Sequence, residues 1–309
     1  LQYGFEAQKI ADSLGYVKGE AEAFRQIGLA FWAQSDMLTA INYFLTGLRI
    51  AEQNGLRQTE ADILSNIGTA YNGMNQPKEA LSFLLRSRQL QQALKNKWRE
   101  ASVMNNIGDA YLALNEFDEA KNAYTFALEA SKREKYMLGV STNLRNLGNV
   151  LEKQGRLDSA LINYKQCVEL SRSLRDNRGI ILSNKSLASV YIKQNKLSLA
   201  EEHAKLALQA AKAANLRAFM RDLYEMLARI EELQGDEKSA FRYYKLFTAY
   251  KDSVQNLITV TEVAGQRLRF ETEKKQTEIE LLKKDAELKS SLLKSRNYLL
   301  VFSSLSLLL

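Results

Sequence analysis

The chain is poor in the residues that punctuate or cross-link a fold. One proline occurs in 309 residues, where average usage of about 5% would place roughly fifteen. Proline marks turns, edge strands and helix starts, so its scarcity points to long helices with short connections. One cysteine excludes an internal disulfide framework and any zinc site built on several thiolates. One histidine excludes two-histidine metal motifs. Nothing matches a phosphate loop or a nucleophile elbow. No catalytic residues, metal site or cofactor are expected of this segment. Hydrophobic residues make up 46% and charged residues 26%, enough to bury a core and too apolar for a disordered chain. The chain opens on Leu1 rather than Met, as a piece of a longer protein would.

The net charge of +7 is spread out. Residues 251–309 carry 10 Lys/Arg against 8 Asp/Glu, leaving +5 for residues 1–250. Nucleic-acid binders concentrate their positive charge on one face or arm, so no nucleic-acid partner is expected.

What the sequence has is a forty-residue period. Gly28, Gly68, Gly108 and Gly148 fall on it, continued by Ala188 and Ala228. Ala40, Ala80, Ala120, Ala160, Ala200 and Ala240 repeat in step. Ile27, Ile67, Ile107, Leu147, Leu187 and Leu227 precede the first series. Phe31, Tyr71, Tyr111, Leu151, Tyr191 and Glu231 follow it by three. Phe44, Leu84, Tyr124, Tyr164, Ala204 and Tyr244 follow the second series by four. Apolar residues at spacings of three and four define one face of a helix. A glycine or alanine on that face lets a second helix approach closely. Each period thus predicts two antiparallel helices, and the pairs must stack to bury a core. Pro77 falls where a helix begins, and its missing N–H costs nothing there.

The pattern large–x–x–Leu–Gly–x–x–Tyr, then Ala–x–x–x–Phe/Tyr–x–x–Ala, resembles the tetratricopeptide repeat (TPR) family. The resemblance implies an all-α superhelical solenoid of six repeats over residues 21–250. Residues 1–20 read as the second helix of a preceding, truncated repeat. The period is 40 rather than the family's 34, so extra residues must lengthen the helices or the turns around Gly15, Gly55 and Asn215. HEAT repeats have a similar period, but the recurring Gly28/Ala40 pair favours the tetratricopeptide reading.

Residues 251–297 are rich in Glu, Lys, Leu and Gln and predict a long charged helix with a coiled-coil tendency, a possible homodimer contact. Residues 298–309 are uncharged and run apolar to the end, as the start of a transmembrane helix would. Repeats, a Glu/Lys-rich helix and then an apolar segment resemble bacterial membrane-anchored sensor proteins. That likeness implies a sensor region whose output, a histidine kinase or a helix-turn-helix regulator, lies outside this segment. It also implies an inner-membrane location with periplasmic repeats, or a cytoplasmic one if the terminal run is not a membrane helix. The alternative is a scaffold that assembles proteins and carries no signal.

In the tetratricopeptide family the first helix of each repeat lines the groove. Carried onto this chain, the inward positions are Arg25, Asn66, Asn105, Asn106, Arg145, Asn146, Asn149 and Lys185. Asn66, Asn106 and Asn146 form a ladder at forty-residue spacing. Amides can grip an extended peptide, and Arg25, Arg145 and Lys185 can hold carboxylates. The expected partner is therefore a peptide or protein. Replacing Asn106 and Asn146 together is expected to abolish binding without unfolding the repeats. His203 and Cys167 are expected to be structural, Cys167 sharing a small-residue position with Ala127 and Ala207.

Overall fold

The computed structural model describes residues 1–34 and 36–253, together with Lys284 and Lys289. Twelve helices follow one another: α1 (Gln2–Ser13), α2 (Val17–Ala33), α3 (Met37–Gln53), α4 (Arg57–Gly73), α5 (Pro77–Ala93), α6 (Lys97–Ala113), α7 (Phe117–Arg133), α8 (Met137–Lys153), α9 (Leu157–Ser173), α10 (Asn177–Lys193), α11 (Leu197–Ala213) and α12 (Arg217–Gln234). Residues 237–253 are also helical and are called α13. No strand occurs among the described residues. The all-α solenoid expected from the period is the observed architecture.

The extra length lies in the helices. Each of α2 to α11 has 17 residues, about 25 Å at 1.5 Å per residue, and three residues separate each helix from the next as far as α12, with two between α12 and α13. Among the described residues, Gly15, Gly55, Asn75, Lys95, Asn115, Lys135, Gly155, Arg175, Asn195, Asn215 and Gly235 take positive φ, one to a turn. The geometry is a Schellman closure. At the end of α4, Asn75 N–H donates to the Asn72 carbonyl and Gln76 N–H to the Tyr71 carbonyl at 2.9 Å. Asn96 and Asp36 then cap the next helices by accepting from Arg99 N–H and Thr39 N–H. Pro77 occupies the first turn of α5.

The small-residue series does what the period implied. A Cβ on Gly28 would lie 2.5 Å from the Phe44 ring, on Gly68 2.5 Å from Leu84, on Gly108 2.6 Å from Tyr124, and on Gly148 2.5 Å from Tyr164. Phe44, Leu84, Tyr124 and Tyr164 are fully buried, as are Ala40, Ala80, Ala120, Ala160 and Ala200. Each glycine thus accommodates a large residue sixteen positions later. In repeat five Ala188 faces Ala204, small against small, and both are buried. Repeat six pairs Ala228 with Tyr244, and here Tyr244 is 58% exposed and Ala240 half-buried. The methyl of Ala228 takes the space a glycine would leave. Tyr244 instead lines an open 650 Å³ hollow with Ala228, Ala240, Phe241 and Phe247.

Among the described residues no helix is long and apolar enough to cross a membrane. The charged helix expected beyond residue 253 and the apolar segment expected at 298–309 lie outside the described residues, apart from Lys284 and Lys289.

Candidate functional site

The odd helix of each pair (α3, α5, α7, α9, α11) follows the even one and packs on it and on the next. Successive even helices also touch, α2 with α4, α4 with α6, α8 with α10 and α10 with α12. Successive odd helices do not approach in this way. The even helices therefore line the inner, concave side of the curve.

The expected groove residues lie on these inner helices, but they serve different ends. The Asn106 Nδ2 donates to Thr69 Oγ1 at 3.0 Å, and the Asn106 carbonyl accepts from Asn72 Nδ2 at 2.9 Å. The Asn146 Nδ2 donates to Asn105 Oδ1 at 3.0 Å, and Asn146 is only 5% exposed. These amides bridge α4 to α6 and α6 to α8. The double substitution of Asn106 and Asn146 therefore removes inter-repeat bonds as well as groove groups. Asn149 Oδ1 accepts from the Tyr164 hydroxyl at 2.8 Å, which also lies 2.8 Å from Glu152 Oε2. Arg25 pairs with Glu22 at 2.8 Å and Lys185 with Asp222 at 3.0 Å. Two of the expected residues keep free polar atoms. Asn66 Nδ2 is buried with no hydrogen-bond partner. Arg145 has neither a hydrogen bond nor an ion pair among the described residues, and it lies close enough to Asp109 for their charges to interact.

Asp109 accepts a 2.6 Å hydrogen bond from the buried Tyr124 hydroxyl. Desolvation raises the Asp109 carboxyl above its ordinary range, opposed by the Tyr124 bond and the Arg145 charge. Burial and the neighbouring Asp109 push the Tyr124 hydroxyl far up, so it stays a donor. Tyr164 is raised in the same way beside Glu152. No group of His, Cys, Asp and Glu suited to a metal ion occurs among the described residues.

Sequence reasoning missed Trp98, Tyr136 and Asn143. Two cavities flank Trp98 on the inner face, one of 340 Å³ toward Asn66 and one of 220 Å³ toward Tyr136 and Asn143. The available signal was the register: Trp98 is the aromatic in a series otherwise read as Lys18, Gln58, Leu138, Arg178 and Ala218.

His203 and Cys167 have local explanations. His203 shares its register with Tyr43 and Phe83. It stacks on Tyr191 at 5.4 Å as they stack on Phe31 and Tyr71 at 5.3 and 5.5 Å. Its Nδ1 lies 2.9 Å from Asn184 Oδ1. Cys167 is buried, and its sulfur accepts from Ser183 Oγ at 2.7 Å.

Antiparallel helix pairs on a fixed period, stacked so that one helix of each pair faces inward, define a tetratricopeptide-type solenoid. The chain belongs to the MalT-like TPR region family, which residues 95–302 match, and residues 19–93 match the tetratricopeptide repeat family. No curated protein matches the chain. Among solved structures it is similar to a Rap protein complexed with Competence and Sporulation Factor, at 14% identity over 77% of this chain and 76% of that one, TM-score 0.62. It is similar to aspartyl phosphate phosphatase F from Bacillus subtilis, at 13% identity over 84% and 73%, TM-score 0.66. A STAND protein with a tetratricopeptide repeat sensor from Pyrococcus horikoshii matches at 15% identity over 79% of this chain and 39% of that one, TM-score 0.62. At these identities the likeness is one of fold. Tetratricopeptide repeats are protein-interaction modules, and this segment is built of them.

Proposed function

We propose that the chain is the ligand-sensing region of a membrane-anchored bacterial signalling protein, its inner groove receiving a peptide or protein. The observation that carries this is Arg145, a cation in the inner groove without an ion-pair partner among the described residues, while Arg25 and Lys185 on the same face are paired. A ligand carboxylate adds a close partner to the longer-range charge of Asp109. Two similar folds carry related descriptions, one complexed with Competence and Sporulation Factor and one named for its tetratricopeptide repeat sensor. Binding shifts the solenoid between arrangements only if the ligand prefers one of them. The apolar residues 298–309 are the proposed start of the anchor, with a histidine kinase as the output and the repeats on the periplasmic side.

The test is a peptide array probed with the parent chain and with Arg145→Ala. The reading expects carboxylate-bearing peptides retained by the parent and bound at least about tenfold more weakly by the variant. An array on which the variant performs as well as the parent removes Arg145 from the groove. Topology-reporter fusions after residue 309 of the full gene test the anchor. A scaffold is the second reading, favoured by the Asn106–Thr69 and Asn146–Asn105 bonds that hold the inner helices in one arrangement. It expects partner removal to leave any output unchanged.

A further inference from the structure

The turns that lead into the even helices lie along one rim of the solenoid, because successive helices run antiparallel. Three neighbouring turns of that rim differ from the rest. Residues 92–99, 132–139 and 172–179 hold nine Lys/Arg against two Asp/Glu. The turns at which α5, α7 and α9 begin, residues 72–79, 112–119 and 152–159, hold three against six. Charge that is spread along the sequence is thus gathered in space, since the forty-residue period returns each of these segments to the same rim. Lys97 and Arg99 are paired, with Glu100 and Asp62. Lys95, Arg133, Lys135, Arg172, Arg175 and Arg178 are exposed and form no ion pair among the described residues.

Three of these cations stand where the backbone does not favour them. Lys95, Lys135 and Arg175 have φ of 56°, 54° and 55°. A Cβ is disfavoured in this left-handed region, which glycine and asparagine fit best. Every other described residue with positive φ is Gly or Asn. Either would serve the fold better at these three positions, so packing does not account for the cations. The same turns expose apolar side chains. Leu94, Trp98, Tyr136, Met137, Leu138 and Leu174 are each 37–42% exposed. The three turns at the opposite ends of α5, α7 and α9 expose no large hydrophobic residue. The Trp98 and Tyr136 rings meet edge-on at 4.9 Å, which joins the first two basic turns into one surface.

We infer that this rim is a docking surface for an anionic lipid bilayer. The Trp98 and Tyr136 rings sit at the level of the headgroups, each with an apolar body and a polar tip. Leu94, Met137, Leu138 and Leu174 enter between the headgroups, and the long cationic side chains reach the lipid phosphates. The mixture of groups decides among acidic occupants. A nucleic-acid duplex would satisfy the cations but set Met137, Leu138 and Leu174 against a charged backbone. A bilayer surface offers phosphate and hydrocarbon in adjacent layers and satisfies both. Each Lys or Arg held near such a surface strengthens binding about fivefold, and Glu134 and Asp176 subtract from the total. The rim lies at the helix ends, outside the inner groove, so a ligand can occupy the groove while the rim is docked. The inference does not depend on the anchor proposed at residues 298–309.

The experiment uses the full chain with Trp32→Phe, which leaves Trp98 as the only tryptophan. The probes are vesicles of phosphatidylcholine alone and vesicles with about a third of phosphatidylglycerol. Trp98 emission is expected to shift to the blue and saturate with the mixed vesicles only. It is also expected to be quenched by bromine-labelled acyl chains, and the response to vanish at about 0.5 M salt. The triple variant Lys95→Asn, Lys135→Asn, Arg175→Asn copies Asn215 and leaves residues 298–309 in place. It is expected to weaken the response roughly hundredfold while the thermal midpoint holds or rises. Cations with a structural role would lose stability along with binding. Leu138→Gln, which copies Gln58, is expected to weaken the response about fivefold and keep its salt dependence. A mixed-vesicle response that is absent or insensitive to salt overturns the inference, as does a triple variant that responds like the parent. Vesicle sedimentation without a Trp98 response gives the membrane affinity to other residues and overturns the rim. Binding to a labelled DNA or RNA duplex without a vesicle response overturns it in favour of nucleic acid.

Discussion

Gly108→Ala tests the close approach on which each repeat is built. The added methyl would lie 2.6–2.8 Å from three atoms of the Tyr124 ring. Ordinary carbon contacts are about 3.5–4.0 Å, so the ring must retreat by about 1 Å. It has nowhere to go, because Tyr124 is fully buried and its hydroxyl is held by Asp109 at 2.6 Å. Overpacking of this kind costs about 1–3 kcal/mol, and the tethered ring argues for the upper end. Alanine gives back about 1 kcal/mol through helix propensity. The expected net loss is about 2 kcal/mol, read from urea unfolding with the slope unchanged. Far-UV circular dichroism and tyrosine fluorescence should give coincident transitions, since a solenoid can unfold in parts. A double-mutant cycle sharpens the test. Tyr124→Ala alone should cost about 3–5 kcal/mol. Combined with Gly108→Ala it should fall short of additivity by about 1–3 kcal/mol, because repeat five already tolerates Ala188 opposite Ala204. If Gly108→Ala instead raises stability by about 1 kcal/mol, propensity alone governs the site and the close-approach argument is wrong.

Four further outcomes are expected. Asn146→Ala should cost about 1–2 kcal/mol, because it strips the bond to Asn105 from a buried site, whereas Asn66→Ala should lie within about 0.5 kcal/mol of the parent; equal losses in thermal melts would contradict the division of the ladder. Arg175→Gly should raise stability by about 1 kcal/mol, because Arg175 has φ of 55° in a turn where Gly15, Gly55 and Gly155 also serve; a lower urea midpoint would count against it. Desolvation, partly opposed by Glu202, lowers the His203 pKa in the folded chain. The unfolded state then binds the proton more readily, so this stability is present above about pH 6.5 and is lost as pH falls through the unfolded value toward the folded one. An NMR titration of the single imidazole should give a midpoint below 6.5, and His203→Gln should flatten the loss. Ala228→Gly should let Tyr244 seat as Tyr164 does, read as slower iodide quenching of tyrosine emission; unchanged quenching would mean that Ala228 is not what displaces it.

Much of the fold was legible because its signals are local. Gly28 and Phe44 lie within one helix pair, so their complementarity repeats at fixed spacing and survives in the one-dimensional pattern. Pro77 reads as a helix start because the reason is steric and confined to one turn. The place of the extra six residues was not legible, since a longer turn and longer helices fit the same count. The structure put them in the helices because the Schellman turn is already complete in three residues. The candidate site was legible only as a face. Arg25, Asn66, Arg145 and Lys185 lie on α2, α4, α8 and α10, yet their partners are not in the pattern. The stacking role of His203 was present in the register with Tyr43 and Phe83, but it becomes visible only once Tyr191 is seen beneath the ring.

The sequence by itself determined the unit: two amphipathic helices, a small residue where they cross, and a turn every twenty residues. These follow from steric and hydrophobic constraints within about forty residues of chain. Only the tertiary structure decided which polar groups are spent and which are left over. Asn106 reaches Thr69, Asn146 reaches Asn105 and Lys185 reaches Asp222, all across one full repeat. Whether such pairs meet depends on the curvature that the whole stack adopts. That curvature is the sum of packing at every junction, and no single period of the sequence encodes it.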